Sequence, residues 1–553
     1  MTGTQDGGTS ATDSVYPGPA ERNPGPAERA AAERADRIAA LRARLVTPMP
    51  GDRVWGWVGP LIVTAFAAFL RFYRLSVPDA VIFDETYYVK DAWSILRHGV
   101  EWNDVSNANQ LIIAGHTNFF QACPGRGCAE FLVQPEVGKL LIAVGEFFFG
   151  LTSFGWRVAP AVFGTLAVLV MCRVARRFTR STLLGCLAGL LMSLDGLEFV
   201  LSRTGILDIF LMFFVLAAFG CLLIDRDSSR ARLASAMVLT PGDDAGPELG
   251  IRNWRVAGGL LLGLACGSKQ YGAWYVVAFI GLAVAWDLGA RRAAGVQNYI
   301  QGALVRDGKW LPLTFGVIPV ATYIATWSNW FATSTGFDRY YAQSVGVRIP
   351  VISDLYSLWH YHVQMLKFGV SLNVPQHYMS QPWGWLVLSR PVAFWAECYT
   401  SASATQLCPK DYTGPEWWAE VTALGNPAIW WISIPVLLFC LGWWMTRRDW
   451  RAGAAVFLVA AGWLTWFPFV SRTKFDYYSL EFEPFLILCI VLCLGLIIGP
   501  ASASRLRRAF GASVAGGYVL SVLILFWYFY PLLAYQLLPY QQWLSHMWYR
   551  GWI

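Results

Sequence analysis

Of 553 residues, 56% are hydrophobic and 14% charged, with 28 Trp and 34 Phe, a composition that excludes an ordinary soluble domain and indicates a chain crossing a membrane many times. The net charge of +7 does not signal a nucleic-acid partner, because the excess arginines lie in short loops between apolar runs, where basic residues set membrane orientation.

No cleavable signal peptide is expected, since the first fifty-odd residues lack an apolar run. Residues 1–53, rich in Gly, Pro, Ala and Arg, are expected to form a largely disordered cytosolic tail with a short amphipathic helix over 30–45. Apolar runs of roughly membrane length then cover 54–73, 158–172, 183–201, 206–224, 256–267, 272–286, 311–327, 429–445, 454–470, 485–498 and 518–533. The expected fold is an all-α polytopic membrane protein with about eleven transmembrane helices: a transmembrane catalytic domain over 54–533 and an exterior tail over 534–553. The run 137–150 is apolar but short and carries Lys139 and Glu146, so an amphipathic surface helix in the first exterior loop fits it better than a span. The arginine clusters at 173–180, 226–232, 291–292, 447–451 and 505–508 fall on one side only if that run does not cross. The tail is then cytosolic, and both long loops, 74–156 and 328–427, face the exterior.

Asp84-Glu85 follows the first span at the mouth of the bundle, where carboxylates are costly unless they serve a purpose. Asp84 could instead cap a helix over 85–96 that places Tyr88, Ala92, Ile95 and Leu96 on one face. Cations gather at the same outer ends: Arg157 at the second span, Arg203 with Asp208 in one turn, Lys269 in another and Arg472 in a third, joined by Gln134 and Lys139 in the first loop. Such a collar suits an anionic headgroup, for example a phosphate attached to a lipid. Any one of these cations could equally snorkel to membrane phosphates.

Cys123 with Cys128 and Cys398 with Cys408 lie in the exterior loops. They could be local disulfides in an oxidising compartment, free thiols or, for the first pair, half of a zinc site; the other seven cysteines sit in apolar runs as packing residues. The aromatic stretches around His360 and His362 and around Trp383 read as an interfacial belt or as faces on which a sugar stacks, which makes these three residues, with Asp208, candidate substrate contacts. For the histidines a hydrogen-bonded structural role is the alternative.

Several stretches together resemble the protein O-mannosyltransferases, in particular the actinobacterial polyprenyl-phosphate-mannose–protein mannosyltransferases, which have the class C glycosyltransferase fold. They are Phe83-Asp84-Glu85, Gln134-Pro135-Glu136-Val137-Gly138-Lys139, Trp156-Arg157-Val158-Ala159-Pro160, Leu194-Asp195-Gly196 with Ser202-Arg203 and Leu207-Asp208, and Ser268-Lys269, in register from about Trp55 onward. The resemblance implies transfer of mannose, with inversion, from a polyprenyl-phosphate-mannose donor to Ser or Thr of secreted or membrane proteins. It places this reaction on the outer face of the plasma membrane, with acceptors emerging during Sec-dependent translocation. Asp84 matches the family's base and Glu85 its partner. Two departures stand out: Gln134 replaces the usual His, and the second loop lacks the β-trefoil of eukaryotic relatives.

A hydroxyl attacking an anomeric carbon needs a base, and a departing lipid phosphate needs cations. A metal or other cofactor is therefore not expected beyond the lipid-linked donor. The nearest alternative is another polyprenyl-phosphate-sugar transferase acting on a glycan or lipid. A transporter fits less well, since the polar residues gather at span ends and no internal repeat is visible; a scaffold gives the acid pair no purpose.

Overall fold

The computed structural model describes residues 25–123, 128–240 and 243–553; the first half of the expected disordered tail and the 124–127 link between two cysteines lie outside them. The expected tail helix is present as α1 (Pro26–Leu45). Its Pro26 stands at the first helical position, where a missing N–H is harmless, and Glu28 accepts from the Gly25 amide at 2.8 Å.

Next in the chain come α2 (Trp55–Phe72), α3 (Glu85–His98), α4 (Ala108–Ile113), α5 (Glu136–Phe149), α6 (Ser153–Thr179), α7 (Thr182–Ser193), α8 (Gly196–Leu201), α9 (Asp208–Leu239), α10 (Asn253–Ser268) and α11 (Gly272–Ala294). Then α12 (Tyr299–Gln301) leads through two π-helical stretches, Gly302–Asp307 and Pro312–Val317, into α13 (Ile318–Thr326). Pro312 and Pro319 lack the amide an α-helical ladder needs, which fits a widened turn. Short α14 (Ser328–Ala332) and α15 (Tyr341–Ser344) precede α16 (Ile352–Ser371), and α17 (Pro427–Arg447), α18 (Trp450–Trp463), α19 (Glu483–Ile498), α20 (Arg505–Leu533) and α21 (Tyr540–Ser545) complete the helices.

The chain is a multi-pass membrane protein: among the described residues, α2, α6, α9, α11, α17 and α20 are each long and apolar enough to cross a bilayer. The other expected spans are shorter helices or are interrupted. The run 183–201 breaks at Leu194-Asp195, because the Asp195 side chain leaves the ladder to accept from the amides of Leu197 (2.9 Å) and Glu198 (3.4 Å) and so starts α8. Its other oxygen accepts from the Asn426 amide (3.1 Å) and the Trp430 indole (2.7 Å), so a buried carboxylate is fully satisfied where an apolar span was expected. Helix α9 runs further than expected, to Leu239, and packs on α6, α10 and α11 at the centre of the bundle. Helix α19 is buried from Glu483 to Leu492.

The all-α expectation needs correction. Strands β1 (Val392–Tyr399), β2 (Trp417–Ala423) and β3 (Leu538–Pro539) form an antiparallel sheet in the order β1-β2-β3. Val392 and Phe394 alternate inward on β1, a period-two pattern that the aromatic density of the second loop hides. Cys123–Cys128 and Cys398–Cys408 are both disulfide-bonded. The 14 residues of α5 are too few to span unaided, and a Cβ added at Gly138 or Gly267 would strike Leu207 or Val137. This close packing lays α5 over the start of α9 and the end of α10.

Candidate active site

The turn between α2 and α3 carries the acid pair. Phe83 has φ 45°, a left-handed conformation unfavourable for a bulky side chain. Its ring stacks on Phe394 at 4.4 Å and meets Tyr477 edge-on at 5.6 Å, and this packing holds the turn. Asp84 follows as the residue before α3, but its side chain makes no capping bond, so the capping alternative is not observed. The Tyr477 hydroxyl instead donates to Asp84 Oδ2 at 3.4 Å. Burial pushes the Asp84 carboxyl up to about 6, with Lys269 opposing, Asp208 adding and the Tyr477 bond opposing.

Glu85 is wholly buried and saturated. It accepts from Arg157 Nε (2.8 Å) and Nη2 (2.9 Å), the Ile82 amide (3.0 Å) and the Gly205 amide (2.9 Å). Arg157 also donates to the carbonyls of Pro78 (2.7 Å), Ala80 (2.8 Å) and Leu75 (3.4 Å). Arg203 reaches the carbonyls of Leu70 (2.9 Å), Tyr73 (2.8 Å) and Arg74 (2.9 Å). Every guanidinium nitrogen of Arg157, and both terminal nitrogens of Arg203, are thus engaged by backbone or by Glu85. These bonds tie the chain from Leu70 to Ile82 to Arg157, Arg203 and Glu85, the two arginines expected at a phosphate and the acid expected as partner of Asp84.

One other expected cation, Lys269, acts on Asp84, and Arg472, which also donates to the Gly369 and Thr473 carbonyls, shares the Tyr478 ring with it. Lys269, just past α10, places Nζ 2.8 Å from both carboxylate oxygens of Asp208, the first residue of α9, and lies 5.8 Å and 5.2 Å from the ring centroids of Tyr477 and Tyr478. Arg472 sits over Trp466 (5.3 Å), Tyr271 (5.6 Å) and Tyr478 (6.0 Å) and donates to the Tyr271 hydroxyl. Tyr478 therefore has both cations against its ring, an arrangement in which aromatic faces hold positive charge in place. Glu481 is buried nearby with Oε1 unbonded, and burial together with Asp208 drives its carboxyl well above the usual range.

The remaining candidates do not join this cluster. Lys139 pairs with Glu101 and Glu136; burial and Glu101 push Glu136 up to about 8. Gln134 is half-buried ahead of α5. His360 stacks on Tyr341 at 3.4 Å and contacts Asp338 at 3.0 Å, and His362 meets the Tyr323 hydroxyl at 2.5 Å, so both histidines serve α16 and its neighbours. Trp383 is exposed, edge-on to Phe467 at 6.2 Å. The sequence reading missed Tyr271, Trp466, Tyr477, Tyr478 and Glu481. Tyr477 and Tyr478 lie only five and six residues past Arg472, the cation it took from the third outer turn. Among the described residues, no three His, Cys, Asp or Glu side chains are grouped to hold a metal ion.

The chain is similar to known proteins over most of its length. The family model "Dolichyl-phosphate-mannose-protein mannosyltransferase" matches residues 61–326, and "C-terminal four TMM region of protein-O-mannosyltransferase" matches residues 355–552. The polyprenol-phosphate-mannose–protein mannosyltransferase of Mycobacterium tuberculosis (strain ATCC 25618 / H37Rv) is 38% identical over 520 residues, covering 91% of this chain and 93% of its own. That of Corynebacterium glutamicum is 32% identical over 507 residues, covering 89% and 92%. The S. cerevisiae protein O-mannosyltransferase Pmt1-Pmt2 complex bound to the sugar donor shares the fold, with a TM-score of 0.67 at 14% identity and 94% of each chain covered.

Proposed function

Because the chain belongs to the dolichyl-phosphate-mannose–protein mannosyltransferase family, we propose that it transfers mannose from polyprenyl-phosphate-mannose to Ser or Thr hydroxyls of proteins, with inversion at the anomeric carbon. The observation that carries this reading is the placement of Asp84, without an ion pair among the described residues, within the electrostatic reach of the Lys269–Asp208 pair. Asp84 takes the proton of the acceptor hydroxyl as its oxygen bonds to the anomeric carbon. The bond from that carbon to the phosphate oxygen breaks, and the polyprenyl phosphate leaves with an added negative charge. Lys269 and Arg472, fixed by Asp208 and the aromatic floor, stabilise that charge. Glu85, Arg157 and Arg203 hold the Asp84 turn in position.

The site is assigned to the outer face of the plasma membrane, with the N-terminal tail cytosolic and acceptors arriving by Sec-dependent translocation. Both disulfides sit in the loops this topology puts outside, where an oxidising compartment preserves them. The test is purified protein in liposomes with labelled polyprenyl-phosphate-mannose and a Ser/Thr peptide, with the anomeric configuration of the product read by NMR. An α-to-β or β-to-α change on the peptide is expected. Transfer only to a glycan or lipid, or retention of configuration, overturns the reading.

A further inference from the structure

The small sheet has one open margin. β2 lies between β1 and β3, so β1 is an edge strand, and among the described residues β2 is the element packed along it. The far end of that edge is closed. The Cys408 amide donates to the Cys398 carbonyl (2.8 Å), the Thr400 amide donates to the Gln406 carbonyl (3.0 Å), and Tyr399 bridges Leu407, all tied by the Cys398–Cys408 disulfide. Residues 392–397 carry no such return strand. An uncovered strand edge is a template for an extended chain, and one capped at only one end gives that chain a fixed stopping point.

The open half leads to the site. The β1–β2 register steps from Ala393 to Trp395, so Phe394 is the extra residue of a bulge, a device that re-aims a side chain. Phe394 stacks on Phe83 (4.4 Å), the residue before Asp84, and meets Tyr477 (5.8 Å), the residue that donates to Asp84. The adjacent Trp395 has a buried indole N–H without a hydrogen-bond partner, and Ala396 is exposed. An unpaired edge thus sits beside the rings that frame the carboxylate.

We propose that the acceptor polypeptide docks as an added strand on residues 392–397 of β1, so that its backbone is held by main-chain hydrogen bonds and one hydroxyl side chain is delivered toward Asp84. The proposal rests on the transferase reading above. Recognition of this kind reads backbone more than side chains, which predicts a broad preference for extended Ser/Thr segments.

The test uses the full-length protein in liposomes and a set of acceptor peptides N-methylated at one backbone position at a time. Because a strand presents alternate amides to its partner, methylation at every second position near the Ser or Thr should cut transfer at least tenfold. Methylation at the intervening positions should leave it within about twofold, with hydrolysis of the donor in the absence of peptide unchanged throughout. Equal sensitivity at all positions, or none, overturns strand docking while leaving the transferase intact. Failure of every unmodified Ser/Thr peptide to accept mannose overturns the transferase reading and this one with it.

Discussion

Asp84 and Glu85 are adjacent in the chain but differently engaged: Glu85 holds Arg157 through both oxygens, at 2.8 and 2.9 Å, whereas among the described residues the Asp84 carboxylate has a single hydrogen bond, 3.4 Å from the Tyr477 hydroxyl. A saturated carboxylate is poorly placed to receive a proton, and a sparsely bonded one is well placed. Asp84→Asn should therefore fold and lose about 10²- to 10⁴-fold in transfer. Turnover near that of the parent protein in liposomes would remove Asp84 from the mechanism.

Glu85→Gln should act on stability first. It leaves the buried Arg157 charge without its counter-charge, and breaking such a pair costs about 3–5 kcal/mol. Thermal unfolding in detergent should show a clear drop in midpoint for Glu85→Gln and little change for Asp84→Asn. Equal midpoints would reject the framing role of Glu85.

The acid limb of the pH profile should follow Asp84. Its carboxyl titrates near 6 in the fold against an ordinary 3.8, so the native state favours the protonated form. The sign for stability is that Asp84 ionisation weakens the fold as pH rises from about 4 to about 6; the sign for catalysis is opposite, since the base must be ionised. Transfer at saturating donor should fall as pH drops below about 6. A rate flat down to pH 5 contradicts this assignment.

Lys269 and Asp208 should behave as one unit. Asp208→Asn strands a buried ammonium and should destabilise by about 3–5 kcal/mol. The double variant Asp208→Asn/Lys269→Met removes both charges and should recover much of that loss while still failing to use donor. If the double variant transfers mannose normally, the pair has only a structural role.

The Cys398–Cys408 disulfide closes a segment with a sequence separation of 10. A loop of that size contributes about 2–3 kcal/mol through restriction of the unfolded chain. Replacing both cysteines by serine should raise hydrogen exchange at the amides of residues 400 and 408, which donate to the carbonyls of residues 406 and 398, and much less at β2. Unchanged exchange there would show that the return holds without the bond.

The membrane class, the acid motif and the outer cations were legible because they rest on composition and on charges at the ends of apolar runs. Less legible was what each charge does. Arg157 and Lys269 look alike in sequence, yet one is consumed by backbone carbonyls and the other stands beside Asp84, a distinction that depends on contacts far apart in the chain. Tyr477 lies 393 residues from the Asp84 it bonds, so no local pattern marks it. The sheet was hidden because aromatic residues suit both an interfacial belt and an edge strand. The break at Asp195 was hidden because its satisfying partners, Asn426 and Trp430, come from the other end of the protein.

That last contact binds the polypeptide's two portions, one matched by each family model, into a single folding unit. Asp195 belongs to the first portion, while Asn426 and Trp430 belong to the second. A gene cut between them would yield two fragments, one with a solitary carboxylate in an apolar interior and the other with an amide and an indole lacking an acceptor. Trimmed or chimeric versions of this enzyme must exchange these three residues together.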